Sequence, residues 1–153
     1  SFLPNDVVIV CAEDVSSDFN PRFQAERKIY EYRIYNNPVR NPICRNYSEY
    51  VREKLDIKKM SEAAEAFIGE HDFKGFCSSG NSSKTTVRTI YEMTVQRDGF
   101  LYNMVRIIAG TLIYVGNGKI KPSDMGEIIK SGDRTKAGKT AGPSGLTLVK
   151  ILY

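Results

Sequence analysis

Arg106 is the residue whose surroundings in the sequence most clearly predict chemistry. It is the only charged residue in the run 99–116, which is otherwise apolar, small or uncharged. At helical spacing this run presents a broad apolar surface, which predicts a largely buried helix; the surface consists of Leu101, Met104, Val105, Ile108, Leu112 and Val115. A guanidinium stays charged at ordinary pH, so burying it is costly unless it is paired.

The predicted helix offers no partner for this charge. The residues one helical turn away from Arg106 are Tyr102, Asn103, Ala109 and Gly110, and none of them carries a carboxylate. The partner must therefore come from another strand, from a ligand phosphate, or from protein outside this sequence.

A second group of residues combines aromatic and basic side chains. Tyr30 and Tyr32 lie two residues apart in the strand-like segment 23–35, so they project to one face. Aromatic rings among arginines on a sheet can stack bases and hold phosphates; the basic neighbours here are Arg22, Arg27, Lys28 and Arg33. Tyrosines are also good strand formers that fill cores, so RNA binding and a core role both stay open.

Other patterns argue against several kinds of site. The segments 80–85 and 116–119 contain glycine and lysine, but neither has the spacing of a phosphate-binding loop. His71 stands beside Asp72, but no nucleophile is placed by the sequence to complete a triad. We therefore expect His71 to have a structural role at a helix end.

The composition predicts one globular domain in a reducing compartment. The chain has 153 residues, of which 41% are hydrophobic and 26% charged, which is enough to bury a core. The sole histidine and three cysteines without C-x-x-C spacing make a zinc site improbable; the cysteines are Cys11, Cys44 and Cys77. No apolar run reaches membrane-spanning length and none resembles a signal peptide, so a cytoplasmic location is expected.

The positive charge is concentrated near the C-terminus. The formal net charge is +4, and seven basic residues stand against three acidic ones between Lys119 and Lys150. Such a basic third could contact phosphates or could be a solvated face, and charge alone leaves both open.

Apolar periodicity and capping residues predict a mixture of helices and strands. Asp56 is a candidate N-cap for a helix over 57–68, Asp98 for the Arg106 helix, and Pro122 suits the start of a helix that ends near Gly132. Further segments are a short helical turn at 71–76 and strands at 7–12, 23–35, 87–95 and 146–153, the first of them buried. This order predicts an α+β fold, with helices on one face of an antiparallel sheet.

Six short motifs follow one another in an order that is specific as a set. They are Leu3–Asp6, Phe19–Phe23, Tyr30–Tyr32, Gly69–Phe76, Phe100–Gly110 and Arg134–Leu146. Together they resemble the TruA family of tRNA pseudouridine synthases, from end to end of the chain. The resemblance implies a pseudouridine-synthase fold of two ferredoxin-like halves, action on uridines in the anticodon arm of tRNA, no cofactor or metal, and a homodimer.

The resemblance also implies roles for four residues. Tyr30 aligns with the active-site tyrosine that stacks on the target base, and Arg106 with the arginine that pairs with the catalytic aspartate. Arg22 aligns with an arginine of the cleft that faces RNA, and Leu146 with a residue that lines the uracil pocket. In such enzymes the aspartate attacks the nucleotide, the glycosidic bond breaks, and the uracil rotates and rejoins through carbon.

Two departures from the family pattern refine this prediction. The Gly-Arg-Thr-Asp motif that carries the family's aspartate does not occur, so we interpret residues 1–153 as the C-terminal half of the catalytic region, a single domain inactive alone. The family also has a strand between the 87–96 segment and the arginine helix, whereas Arg97–Gly99 joins them directly here. The alternatives are a non-catalytic RNA-binding module and an enzyme that clamps a small anion with Arg106.

Overall fold

A computed structural model describes residues 2–78, 85–95 and 104–153. The predicted cap Asp98, the predicted helix residue Leu101 and most of the segment 80–85 lie outside the described residues. Six strands and three helices are present in the described part, namely β1 (Arg27–Tyr32), β2 (Ile34–Asn36), β3 (Glu49–Val51), α1 (Ile57–Glu65), β4 (Gly69–Asp72), β5 (Val87–Ile90), α2 (Met104–Gly116), α3 (Met125–Ser131) and β6 (Leu146–Leu152). This mixture confirms the α+β class.

The described strands pair in twos instead of forming one continuous sheet. β1 pairs with β6 and β4 with β5, both antiparallel, whereas β2 and β3 are parallel. In the first pair Ile29 lies opposite Lys150 and Tyr30 opposite Leu148, so Val149 interrupts the ladder as a bulge. Beyond the bulge the register is regular to Tyr32, and Tyr30 and Tyr32 therefore share a face.

The three helices build the main core. α2 is the central element, because ten of its 13 residues are buried. α1 packs against the end of α2, where a Cβ on Gly116 would lie 2.7 Å from the Met60 sulfur. The Asp56 side chain accepts from the backbone N–H of Lys59 at 3.2 Å, which confirms the predicted cap. α3 ends at Gly132 in the left-handed conformation (φ 60°), as its sequence predicts.

Four segments differ from the sequence prediction because tertiary partners decide them. The predicted buried strand over 7–12 is wrong: it has no regular structure, and Val8 and Val10 are 81% and 92% exposed. An apolar run becomes a buried strand only when another strand or layer covers it, and no described segment does so. The predicted helix over 57–68 ends at Glu65, because the chain turns there to enter β4. Likewise β5 ends at Ile90, short of the predicted Val95, and 71–76 divides between β4 and a 3-10 turn.

Candidate functional site

Arg106 is half-buried near the N-terminal end of α2 and is bonded to one loop residue. Its Nε donates to the Ala141 carbonyl at 2.7 Å, and its own carbonyl accepts from the Ala141 N–H at 2.9 Å. Within the described residues no carboxylate lies at ion-pair distance from the guanidinium, and neither Nη atom has a recorded hydrogen bond. Among the described residues, the guanidinium is thus held through one nitrogen, Nε.

Two glycines let the loop that carries Ala141 lie directly on α2. A Cβ on Gly110 would collide with the Lys139 carbonyl, and a Cβ on Gly138 would lie 2.5 Å from the Gly110 carbonyl oxygen. The fully buried Thr111 hydroxyl joins the two segments: it accepts from the Gly138 N–H at 2.8 Å and donates to the Ile107 carbonyl at 2.7 Å. Close backbone contact fixes the loop against the helix, and so fixes the carbonyl that Arg106 uses.

Side chains of the loop reinforce its shape. Arg134 donates from Nη1 to the Gly138 carbonyl at 2.8 Å and from Nη2 to the Thr140 hydroxyl at 3.1 Å. Asp133 accepts from the Thr135 hydroxyl at 2.7 Å and from its N–H at 2.9 Å, and these bonds lower the pKa of the Asp133 carboxyl. Arg134 belongs to the basic C-terminal third, but here its guanidinium braces a loop.

Tyr32 is part of the core, which is one of the two roles that the aromatic–basic pattern left open. It is fully buried and packs with Val105, Ala109 and Ala141. Its hydroxyl donates to the Gly142 carbonyl at 2.7 Å. Burial, and secondarily the Glu49 carboxylate, raise the pKa of the Tyr32 phenol, and Arg106 opposes them.

Tyr30 and Leu146 lie on the Tyr32 side of the β1–β6 pair. Tyr30 is half-buried and shares its strand face with Tyr32, two register positions away along the ladder. Leu146 lies opposite Tyr32 in the register and packs against the cluster that contains Tyr32 and Val105. The structure therefore brings Tyr30, Leu146 and the Arg106 helix to one region.

Arg22 is not brought to this region by any contact within the described residues. It is exposed in a turn, where its backbone N–H donates to the Asn20 side chain at 3.0 Å. Its guanidinium lies 5.7 Å from the centre of the Phe23 ring. An RNA contact by Arg22 stays a prediction.

Glu49 and the Ala141–Gly142 carbonyls are parts of the site that sequence reasoning missed. A Cβ on Gly142 would collide with the Glu49 carboxylate, so the acid lies directly on this peptide. The Glu49 N–H donates to the Arg33 carbonyl at 2.9 Å, which places β3 next to the end of β1. No local pattern could have joined residues this far apart, although the Tyr30–Tyr32 spacing did indicate the strand face.

The other candidates have structural explanations or lie apart. His71 Nε2 lies 3.0 Å from the Ile68 carbonyl, which agrees with the predicted role at a helix end. Among residues 2–78, 85–95 and 104–153, no three His, Cys, Asp or Glu side chains group closely enough to hold a metal ion. Over the same ranges no helix combines the length and the apolarity needed to cross a membrane.

Several curated proteins similar to this chain carry the same name. A tRNA pseudouridine synthase A of Thermoanaerobacter sp. strain X514 is 48% identical over 164 residues, covering 100% of this chain and 67% of its own length. The protein of the same name from Caldicellulosiruptor bescii is 47% identical with the same coverage. That from Clostridium botulinum strain Eklund 17B is 43% identical over 162 residues, covering 99% of this chain and 66% of its own length.

The family profile matches the region that contains the site. The profile described as tRNA pseudouridine synthase matches residues 63–153, which include α2, the 133–142 loop and β6. The alignment with the Thermoanaerobacter protein extends over 164 positions, which is 11 more than the 153 residues of this chain. With near-half identity over its whole length and a profile match over its C-terminal part, the chain belongs to the tRNA pseudouridine synthase family.

Proposed function

We propose that this chain supplies the arginine and the tyrosine of a tRNA pseudouridine synthase active site. Arg106 would pair with the nucleophilic aspartate, Tyr30 would stack on the target base, Leu146 would line the uracil pocket and Arg22 would contact RNA. The observation that carries the proposal is the Arg106 guanidinium, which is half-buried and bonded through Nε at 2.7 Å to the Ala141 carbonyl. Its Nη edge would receive the carboxylate in the bidentate geometry that arginine favours.

In this proposal Arg106 acts on the aspartate and not on the RNA. An adjacent guanidinium lowers the pKa of a carboxyl group and so keeps the aspartate ionised. Two parallel hydrogen bonds also fix the direction in which the carboxylate faces the nucleotide. The C–N glycosidic bond breaks and a C–C bond forms within the same nucleotide, so the isomerisation is redox-neutral and needs no cofactor.

Tyr30 and the target uridine form the second part of the proposal. The uridine must leave its stack in the tRNA to reach the site, at a cost of a few kcal/mol. A tyrosine ring at the mouth of the site offsets part of this cost by stacking on the base. Tyr30 is half-buried and lies in a strand, on the same face as Tyr32.

The nucleophilic aspartate is proposed to lie in protein upstream of Ser1. The chain spans about two thirds of the relatives it matches, and it contains no Gly-Arg-Thr-Asp sequence. We further propose that the chain alone is inactive, that the active protein is a homodimer and that it is cytoplasmic. We also propose that the strand expected before α2 is shortened or lost in this sequence.

The test is pseudouridine formation on a tRNA transcript. It compares this chain with the protein extended upstream of Ser1, called the extended protein below. Activity in the extended protein alone supports the proposal. Activity in this chain alone would mean that one of its own carboxylates is the nucleophile, and activity in neither would favour a non-catalytic RNA-binding module.

A further inference from the structure

Two consecutive carbonyls of one loop are held by two different side chains. Arg106 Nε donates to the Ala141 carbonyl at 2.7 Å, and the Tyr32 hydroxyl donates to the Gly142 carbonyl, also at 2.7 Å. The first donor belongs to helix α2 and the second to strand β1. The 141–142 segment is therefore the point at which helix, strand and loop meet beside the guanidinium.

We propose that Tyr32 is a positioning residue for Arg106: its hydroxyl fixes the 141–142 segment so that the guanidinium faces its carboxylate partner. This inference rests on the function proposed above for Arg106. Tyr32 does not touch the reacting atoms, since it is fully buried. It would act only through the loop carbonyls and the arginine that they hold.

Other hydrogen bonds hold the loop before and after the 141–142 segment, so the Tyr32 hydroxyl acts on that segment in particular. Arg134 and Thr111 hold the loop at Gly138 and Thr140, before the 141–142 segment. After it, the Gly145 carbonyl accepts from the Arg33 N–H at 2.7 Å. Between these supports, the side-chain hydrogen bonds to the segment come from Arg106 and Tyr32 among the described residues. Loss of the hydroxyl would remove the side-chain bond to the Gly142 carbonyl, while the supports on either side of the segment stay in place.

The surroundings of Tyr32 favour a neutral phenol that donates a hydrogen bond. Its ring packs with Val105 and Ala109, and a phenylalanine ring would pack in the same way. Burial, and secondarily the Glu49 carboxylate beside Gly142, raise the pKa of the Tyr32 phenol and so favour the proton on its oxygen. The ring thus contributes to the core, and the hydroxyl contributes the contact that aligns the loop.

The first experiment compares Tyr32→Phe with a matched control in the extended protein. Tyr50→Phe is the control, because the Tyr50 hydroxyl also donates to a backbone carbonyl, that of Pro38 at 3.0 Å, but on the exposed β3 side. We expect Tyr32→Phe to lower kcat by roughly 10- to 100-fold, as misplacement of a catalytic group does. The dissociation constant for tRNA should stay within about twofold, and Tyr50→Phe should change neither quantity.

A double-mutant cycle separates positioning from general loss of structure. If Tyr32 acts through Arg106, Tyr32→Phe should cost little further kcat once Arg106→Ala is present. A full additional loss in that background, or an unchanged kcat in the single mutant, would overturn the inference. If Arg106→Ala itself leaves kcat unchanged, the proposed function fails instead, so the two failures are distinguishable.

Discussion

Gly110→Ala is the substitution whose effect is most opposed to ordinary expectation. In the middle of a helix, alanine is favoured over glycine by about 1 kcal/mol. Gly110 lies within α2, yet a Cβ there would collide with the Lys139 carbonyl oxygen and would lie 2.9 Å from the carbonyl carbon. Both atoms belong to the backbone, so the loop would have to retreat from the helix by on the order of 1 Å.

The cost follows from the bonds that such a retreat would break. Three hydrogen bonds cross this contact. They run from Arg106 Nε to the Ala141 carbonyl (2.7 Å), from the Ala141 N–H to the Arg106 carbonyl (2.9 Å) and from the Gly138 N–H to the Thr111 hydroxyl (2.8 Å). Each contributes about 0.5–1.5 kcal/mol net. After subtracting the gain in helix propensity, the expected loss in free energy of unfolding is about 1–3 kcal/mol.

Urea unfolding of this chain measures the effect. A loss of about 2 kcal/mol lowers the midpoint by about 1 M for a slope of about 2 kcal/mol/M. Gly126→Ala is the matched control, because Gly126 is also helical and no atom lies within 4 Å of the added Cβ. It should be neutral or stabilising by up to about 1 kcal/mol. If Gly110→Ala were as stable as Gly126→Ala, the close contact between loop and α2 would be refuted.

Substitutions at three further positions test individual contacts. Thr111→Val removes a hydroxyl from a fully buried site and leaves the Gly138 N–H without its partner. The free energy of unfolding should therefore fall by about 1–3 kcal/mol. Thr111→Ser keeps the hydroxyl and should retain most of the wild-type stability. Burial raises the folded-state pKa of Tyr32 above its ordinary value of 10.0, so the stability that its neutral phenol contributes is present below pH 10.0 and is lost as pH rises above it. In urea unfolding, Tyr32→Phe should flatten this decline in stability at high pH. An equally steep decline in the mutant would contradict the burial of Tyr32. The hydrogen bond from the Lys59 N–H lowers the folded-state pKa of Asp56, so the stability that the Asp56 carboxylate contributes is present above pH 3.8 and is lost as pH falls below it. The difference in unfolding free energy between wild type and Asp56→Asn should therefore shrink as pH falls through that range. A constant difference would argue against the cap.

Local patterns were sufficient for the elements whose structure is decided within one or two turns. The Asp56 cap, the Gly132 stop and the burial of α2 around Arg106 follow from spacing alone, because a helix satisfies its own backbone. The strand face shared by Tyr30 and Tyr32 was also predictable from alternation.

Contacts between distant segments could not be predicted in this way. Tyr32 and Gly142 are 110 residues apart, so the buried hydroxyl had no visible partner in the sequence. Likewise nothing local shows that Gly110 and Gly138 touch, or that the Glu49 carboxylate lies on Gly142. The prediction of a buried strand over 7–12 is wrong because it relied on a local pattern alone. The apolar run is typical of a buried strand, but burial requires another segment to cover it.

The most direct test of the central claim measures kcat and tRNA affinity separately for Arg106 variants of the extended protein. If Arg106 orients and ionises the nucleophilic carboxylate, Arg106→Ala should lower kcat by roughly 100-fold or more and leave tRNA affinity within about twofold. Arg106→Lys keeps the charge but loses the planar fork, so it should recover only part of the rate. Equal losses of kcat and tRNA affinity would contradict the account, because they would make Arg106 an RNA-binding residue.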